Sequence, residues 1–300
     1  MLRRVWLALA VTGCKLHFDD SHDAATTERP CPDDFIFVTG NPALGTSDFC
    51  AMKFEAKARD LGTQQIVANG CNATCDPDWG STGYGAASAS EGAPFRSVNA
   101  LDAQRMCREL GTGYDLMANR EWMTIARQAE ANPANWQSGT PGTGRIAQGN
   151  TNGSTPGQLA CTDESDPYNG TGDDAMTAWD QRRIEVLANG EVIWDFAGNV
   201  QEWIDFTLAG PYDPPPSCSS SELPTVSCAG LSRDDFQSTA GTLDSTNGVG
   251  KLIGGSGNAL RRGGQTGDFA GDFAGIYALN MNRFTNDTFP ATGFRCVLRL

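Results

Sequence analysis

Clear helical periodicity is confined to one stretch of this chain, and that limits the possible folds more than any other feature. Asn99 precedes LDAQRMCREL, in which Leu101, Met106, Cys107 and Leu110 form one apolar side and Gly111 follows. Asn119 precedes REWMTIARQAEA, with Trp122, Ile125, Ala126 and Ala129 at helical spacing before Pro133. The spacing predicts two helices, each capped by its leading asparagine. Elsewhere short apolar blocks alternate with turn residues. FIFVTG from Phe35 and FCAMKFEAKA from Phe49 read as strands with alternating burial, and 62 to 95, rich in Gly, Ala and Ser, reads as a long surface excursion. Residues 137 to 175 read as loop held by side-chain hydrogen bonds or an ion, and the blocks from Glu191 onward as short strands with long connections. Two helices among many short strands imply an α+β fold. With 300 residues, 39% of them hydrophobic, the chain can bury one large core, and no exact repeat or second domain boundary divides it.

Charge and histidine usage narrow the function. Twenty-two basic against 36 acidic side chains leave a net charge of -14, which repels phosphate backbones and anionic headgroups, so nucleic acid is not an expected partner. The chain has two histidines, His17 and His22, both in a polar N-terminal stretch. A domain without histidine cannot hold a Ser-His-Asp triad, a Cys-His dyad, a His-ligated zinc or a facial iron triad. Carboxylates, Cys, Lys and Tyr are what remain for chemistry.

The N-terminal MLRRVWLALAVTGC has Arg3 and Arg4, then an apolar run of about eight residues ending in small ones, the pattern of an export signal too short to span a bilayer. Val11-Thr12-Gly13-Cys14 resembles a bacterial lipobox, which implies diacylglycerol on Cys14 and cleavage before it, with residues 1–14 as the signal. Lys15 after the cysteine favours the outer membrane. Residues 15–32 are a polar tether, and 33–300 form the domain. The expected setting is therefore the bacterial cell envelope, lipid-anchored and surface-exposed. Nine cysteines remain after Cys14 in a compartment that permits disulfides. Cys218 and Cys228 flank a Ser/Pro-rich stretch and could close a local loop. Cys71 and Cys75 could pair elsewhere or bind a metal, but without histidine or a second such pair zinc is not expected.

Four blocks occur in a telling order: VNALDAQRMCRELGTGYDLMANREWMTIAR (Val98 to Arg127), WDFAGNVQEW (Trp194 to Trp203), RRGG (Arg261 to Gly264) and GFRC (Gly293 to Cys296). Together they resemble the formylglycine-generating enzyme family, the sulfatase-modifying factor domain, with Asp102, Ala103, Cys107, Leu116, Glu121 and Trp122 in matching places. The resemblance covers about residues 35 to 300 and implies a variant of the C-type lectin fold. It also implies a disulfide between Cys107 and Cys296, and a structural calcium held by the side chains of Asp195 and Glu202 and the carbonyls of Gly198 and Val200. On the residues alone, Asp195 and Glu202 bracket a tight Gly-Asn turn and suit either a hard cation or a surface carboxylate pair.

The family's enzymes bind copper through two cysteines beyond the RGG motif, because soft thiolates select a cuprous ion. Counted from Arg262, those places hold Asp268 and Phe273, and a related branch needs three histidines for iron. Neither copper nor iron is expected, and no catalytic residue is assigned. From Asp268 to Thr292, fourteen of twenty-five residues are Asn, Asp, Phe, Tyr or Thr, aromatic anchors beside adaptable polar groups. The layout RGG, AGIYALNMN, GFRC is similar to the variable proteins of diversity-generating retroelements, where adenine-directed mutagenesis alters asparagine codons on a binding face. Gln265 and Thr266 depart from the residues usual after RGG. The expectation is a non-catalytic, monomeric surface lipoprotein that binds a protein or glycan through residues 265–292: Gln265, Thr266, Asp268, Phe269, Asp272, Phe273, Tyr277, Asn280, Asn282, Phe284, Asn286 and Asp287. The alternatives are an atypical enzyme of the same family acting on exported proteins and a structural envelope lipoprotein.

Overall fold

The computed structural model describes residues 30–68, 83–151, 166–168, 179–205, 219, 221–225, 231–255, 257–266 and 273–300. Among them are two α-helices and fourteen strands, an α+β arrangement. The first strands are β1 (Phe35–Val38), β2 (Phe49–Met52), β3 (Lys57–Asp60) and β4 (Tyr84–Ala87), followed by helix α1 (Ala100–Arg108), β5 (Tyr114–Leu116) and helix α2 (Asn119–Ala131). Then come β6 (Ile184–Val186), β7 (Val192–Trp194), β8 (Gln201–Ile204), β9 (Ser221–Glu222), β10 (Lys251–Ile253), β11 (Ala259–Gly263), β12 (Gly275–Arg283), β13 (Thr292–Phe294) and β14 (Cys296–Arg299).

Asn99 caps α1, its side chain accepting the Asp102 amide at 2.9 Å, while Asp102 in the first turn and Arg105 and Arg108 in the last complement the helix dipole. The buried stripe is Ala103, Met106 and Cys107, with Leu110 packed beside it. Leu101 does not join them and is 57% exposed. Two residues before Ala103 on a 3.6-residue helix is about 200° round the axis, on the far side. Helix α2 also departs from expectation at its start, because Ala118, not Asn119, is the extended cap residue. Glu121 reaches back to accept the Ala118 amide at 2.7 Å, and Asn119 turns its amide inward to the Asp235 carbonyl at 3.0 Å. Trp122, Ile125, Ala126 and Ala129 are buried as the spacing predicts.

A four-stranded sheet runs β1-β2-β14-β5, so the last strand lies between two early ones. A six-stranded sheet runs β13-β8-β11-β12-β10-β9, with parallel pairs at its β13–β8 and β10–β12 steps. The pairs β3–β4 and β6–β7 complete the strands. Residues 84 to 95 are not the surface excursion expected of them: β4 pairs with β3, and Ala86, Ala87 and Phe95 are buried. One core cluster joins α2 to the six-stranded sheet through Trp122, Ile125, Leu252, Leu260, Tyr277 and Leu279. A second surrounds α1 and includes Phe95, Met106, Trp203 and Phe294.

Two disulfides lie among the described residues. Cys107 is bonded to Cys296, tying α1 to β14. Cys31, which falls in the expected tether, is bonded to Cys50 of β2. The signal segment with Cys14, the tether up to 29, and Cys71, Cys75, Cys218 and Cys228 lie outside the described residues.

Candidate recognition face

The turn between β7 and β8 is a structural hub. Gly198, at φ +75°, packs so closely on the chain at Gln148 to Asn150 that a Cβ would sit 2.5 Å from the Gln148 carbonyl oxygen. Only glycine fits there. Gly198 N–H donates to the Gly263 carbonyl at 3.0 Å, and Thr266 N–H to the Asn199 carbonyl at 3.1 Å, fastening the RRGG block to the turn. Below it, Glu55 accepts from Asn199 Nδ2 at 2.6 Å and from the Val200 amide at 3.1 Å. Burial, with Asp195 nearby, pushes the Glu55 carboxyl up to about 8.

The two carboxylates expected to ligate calcium are both engaged by arginines. Asp195 accepts from Arg183 Nε and a terminal guanidinium nitrogen at 2.6 Å each, and Glu202 accepts from Arg295 at 3.2 and 2.8 Å. All four side chains are buried. Two fork-shaped guanidinium groups fill the lone-pair sites a calcium ion would need, and among the described residues no group of His, Cys, Asp or Glu is arranged to hold a metal. The turn therefore does not fit calcium. Adding a chelator is expected to move the melting temperature by less than about 1 °C. Loss of a cation bound at a hundred times its Kd would instead cost about 2.7 kcal/mol.

Strand β12 divides its residues by register. Tyr277, Leu279 and Met281 belong to the core cluster under α2, whereas Ala278, Asn280 and Asn282 alternate to the other face. Tyr277 is consequently withdrawn from the expected binding set. Its ring is fully buried, its hydroxyl donates to Glu130, and burial together with that carboxylate raises it well above the ordinary tyrosine range. Arg262 likewise points inward, to Asn119 and the Tyr277 carbonyl, and burial lowers it to about 9.

The other face of the sheet gathers Gln201 of β8, Arg261 of β11 and Asn280 of β12, all three buried, with half-buried Lys251 of β10 and exposed Asn282 of β12 at its margin. Arg261 donates to Asn282 Oδ1 at 2.9 Å and to Thr292 Oγ1 at 3.0 Å, and its guanidinium lies 5.5 Å from the Trp203 ring centre and 5.4 Å from that of Phe289. Asn280 donates to Gln201 at 3.4 Å, and Lys251 Nζ stands 5.4 Å over Phe273. The depression between Gln201, Lys251, Arg261, Phe273 and Asn280 has a volume of about 10 Å³. That is room for one water at most, so this depression is not a ligand pocket.

Beyond β12 the chain turns outward. Asp287 accepts the Phe284 amide at 3.0 Å and returns its own amide to the Phe284 carbonyl, closing a tight turn. Thr285 takes its place in the fold through its carbonyl, which accepts the Ala100 amide of α1 at 3.1 Å. The expected binding residues thus separate into groups. Asn282, Phe284 and Asn286 are exposed; Gln265, Phe273 and Asp287 are half-buried; Thr266, Tyr277 and Asn280 are buried. Asp268, Phe269 and Asp272 lie outside the described residues. Sequence reasoning missed Gln201, Lys251 and Arg261. Period-two counting through RRGG would have put Arg261 and Arg262, both buried, on opposite faces of the sheet.

No protein-family model and no curated protein sequence matches the chain. Among solved structures it is similar to the Major Tropism Determinant U1 variant, at 14% identity and a TM-score of 0.39, covering 91% of this chain and 54% of that one. It is similar to the P3c variant at 13% identity and a TM-score of 0.39, covering 90% and 54%. It is also similar to Treponema denticola variable protein 1 at 15% identity and a TM-score of 0.38, covering 85% of each chain. The chain spans about half the length of the Major Tropism Determinant variants it matches.

Proposed function

We propose that this chain is a non-catalytic binding protein whose recognition surface is the outward face of β12 and the connection that follows it. The scaffold, in this reading, is C-type lectin-like, lipid-anchored at Cys14 and presented on the cell envelope. One observation carries the reading: the segment separates its two tasks by register. Its inward side chains, Tyr277, Leu279 and Met281, are core, while Asn282, Phe284 and Asn286 face solvent with no part in that core. An aromatic ring 49% exposed, with an asparagine two residues away on either side, offers the area and orienting groups that interfaces use. The exposed residue types also suit a segment diversified from asparagine codons.

The test is binding of the full chain to arrays of glycans and of cell-surface proteins, repeated with Phe284→Ala/Asn286→Ala. The double variant is expected to lose the bound targets while its melting temperature stays within about 2 °C, because surface changes of this kind cost roughly 0.5 kcal/mol or less. Targets retained by the variant, or a melting temperature lowered by much more, would place recognition elsewhere.

A further inference from the structure

A groove runs beside the last turns of α2, and none of the residues lining it falls within 265–292. Its two halves meet at Arg127, Thr239 and Ala240, and each has a volume of about 360 Å³, within the range of small-molecule sites. The first half is polar and holds Arg127, Arg233, Asp234 and Ser238. The second is walled by Ala131, Pro141 and Ala240, with the largely buried Glu130 among them.

Arg127 and Glu130 stand three residues apart on α2, so a cation and an anion are neighbours on one side of the helix. Glu130 Oε2 accepts from both the Tyr277 hydroxyl and the Thr239 amide, whereas Oε1 accepts from no described residue. Arg233 is aimed by a buried glutamine: its Nε donates to Gln237 Oε1, and Gln237 Nε2 donates in turn to the Leu223 carbonyl. The terminal nitrogens of Arg233 are left without a hydrogen bond or ion pair among the described residues. Gly241 makes room for them, since a Cβ there would sit 3.2 Å from one of the two. Arg127 is bound to Asp234 at 2.8 Å, but that aspartate side chain is 60% exposed and holds it weakly.

Two cations and two carboxylates balance, so the groove selects neither a simple anion nor a simple cation. A molecule covering it must bring an acceptor to Arg233 and a donor to Glu130 Oε1, because a charge left dry and unpaired is costly. We propose that the groove is a second ligand site, for a free α-amino acid with an apolar side chain. The carboxylate meets Arg233 and Arg127, the ammonium meets Glu130 Oε1, and the side chain lies along Ala131, Pro141 and Ala240. The apolar wall favours this class over a sugar, which would set hydroxyls against it.

Calorimetric titration of the full chain with L-leucine tests this, beside three analogues that each lack one part: leucinamide without the carboxylate, 4-methylpentanoate without the ammonium, and glycine without the side chain. Leucine is expected to bind, and each analogue to bind about tenfold or more weakly. Arg233→Met is expected to weaken leucine by a similar factor while melting like the parent. No binding of leucine at millimolar concentration, analogues that bind as well as leucine, or parent-like affinity in an Arg233→Met variant of unchanged melting temperature would overturn the inference. Should that variant melt lower, the order of the four ligands decides alone.

Discussion

Replacing Cys107 and Cys296 together by alanine is expected to lower stability by about 5 kcal/mol. The two residues are 189 apart in sequence, so the bond removes more freedom from the unfolded chain than a short loop could. On the same chain-entropy reasoning the Cys31–Cys50 bond, with a separation of 19, is worth about 3 kcal/mol. Since a domain's whole margin is about 5–15 kcal/mol, the first variant should be marginal and the second merely weakened. Urea unfolding of both under oxidising conditions gives the ranking. A Cys107/Cys296 variant no weaker than the Cys31/Cys50 variant would show that strain or residual unfolded structure outweighs loop closure.

Arg295→Met is expected to cost about 3–5 kcal/mol. Besides its two bonds to Glu202, Arg295 donates to the Met52 carbonyl at 2.8 Å and the Trp194 carbonyl at 2.8 Å, so its loss strands a buried carboxylate and two carbonyl acceptors at once. Glu202 itself is buried, and burial already raises its carboxyl above the ordinary range despite the arginine beside it. Adding Glu202→Gln to Arg295→Met should restore part of the loss, since the orphaned charge is then gone. A single-variant cost below about 1 kcal/mol, measured by the same unfolding experiment, would mean that water reaches the pair and that the turn is not the hub described here.

The two helices were legible because three independent signals agree on each: period, a polar residue at the start and Gly or Pro at the end. Their details were not. Leu101 is apolar and reads as part of the apolar side, yet it lies about 140° round the axis from Met106 and faces water. Asn119 is a good cap by composition, but Arg262 and the Asp235 carbonyl compete for its side chain in the core. In β12 the residues Tyr277 and Asn280 have similar polarity patterns around them, and only pairing with β11 and β10 settles which face each takes. Arg183 and Arg295 lie 12 and 93 residues from the carboxylates they neutralise, so Asp195 and Glu202 read as either cation ligands or a surface carboxylate pair until their partners are seen. Nothing local marks Cys31 as the partner of Cys50. The Cys107–Cys296 bond came only from block order.

In the reading proposed above, the exposed residues of the C-terminal segment are free of the core and serve recognition, and the proposed diversification would fall on them. Sequencing this part of the gene across many cells of one population tests it directly. Substitutions are expected at the codons of Asn282, Phe284 and Asn286, with Tyr277, Leu279 and Met281 constant. An invariant segment, or substitutions falling equally on the buried positions, would contradict the account.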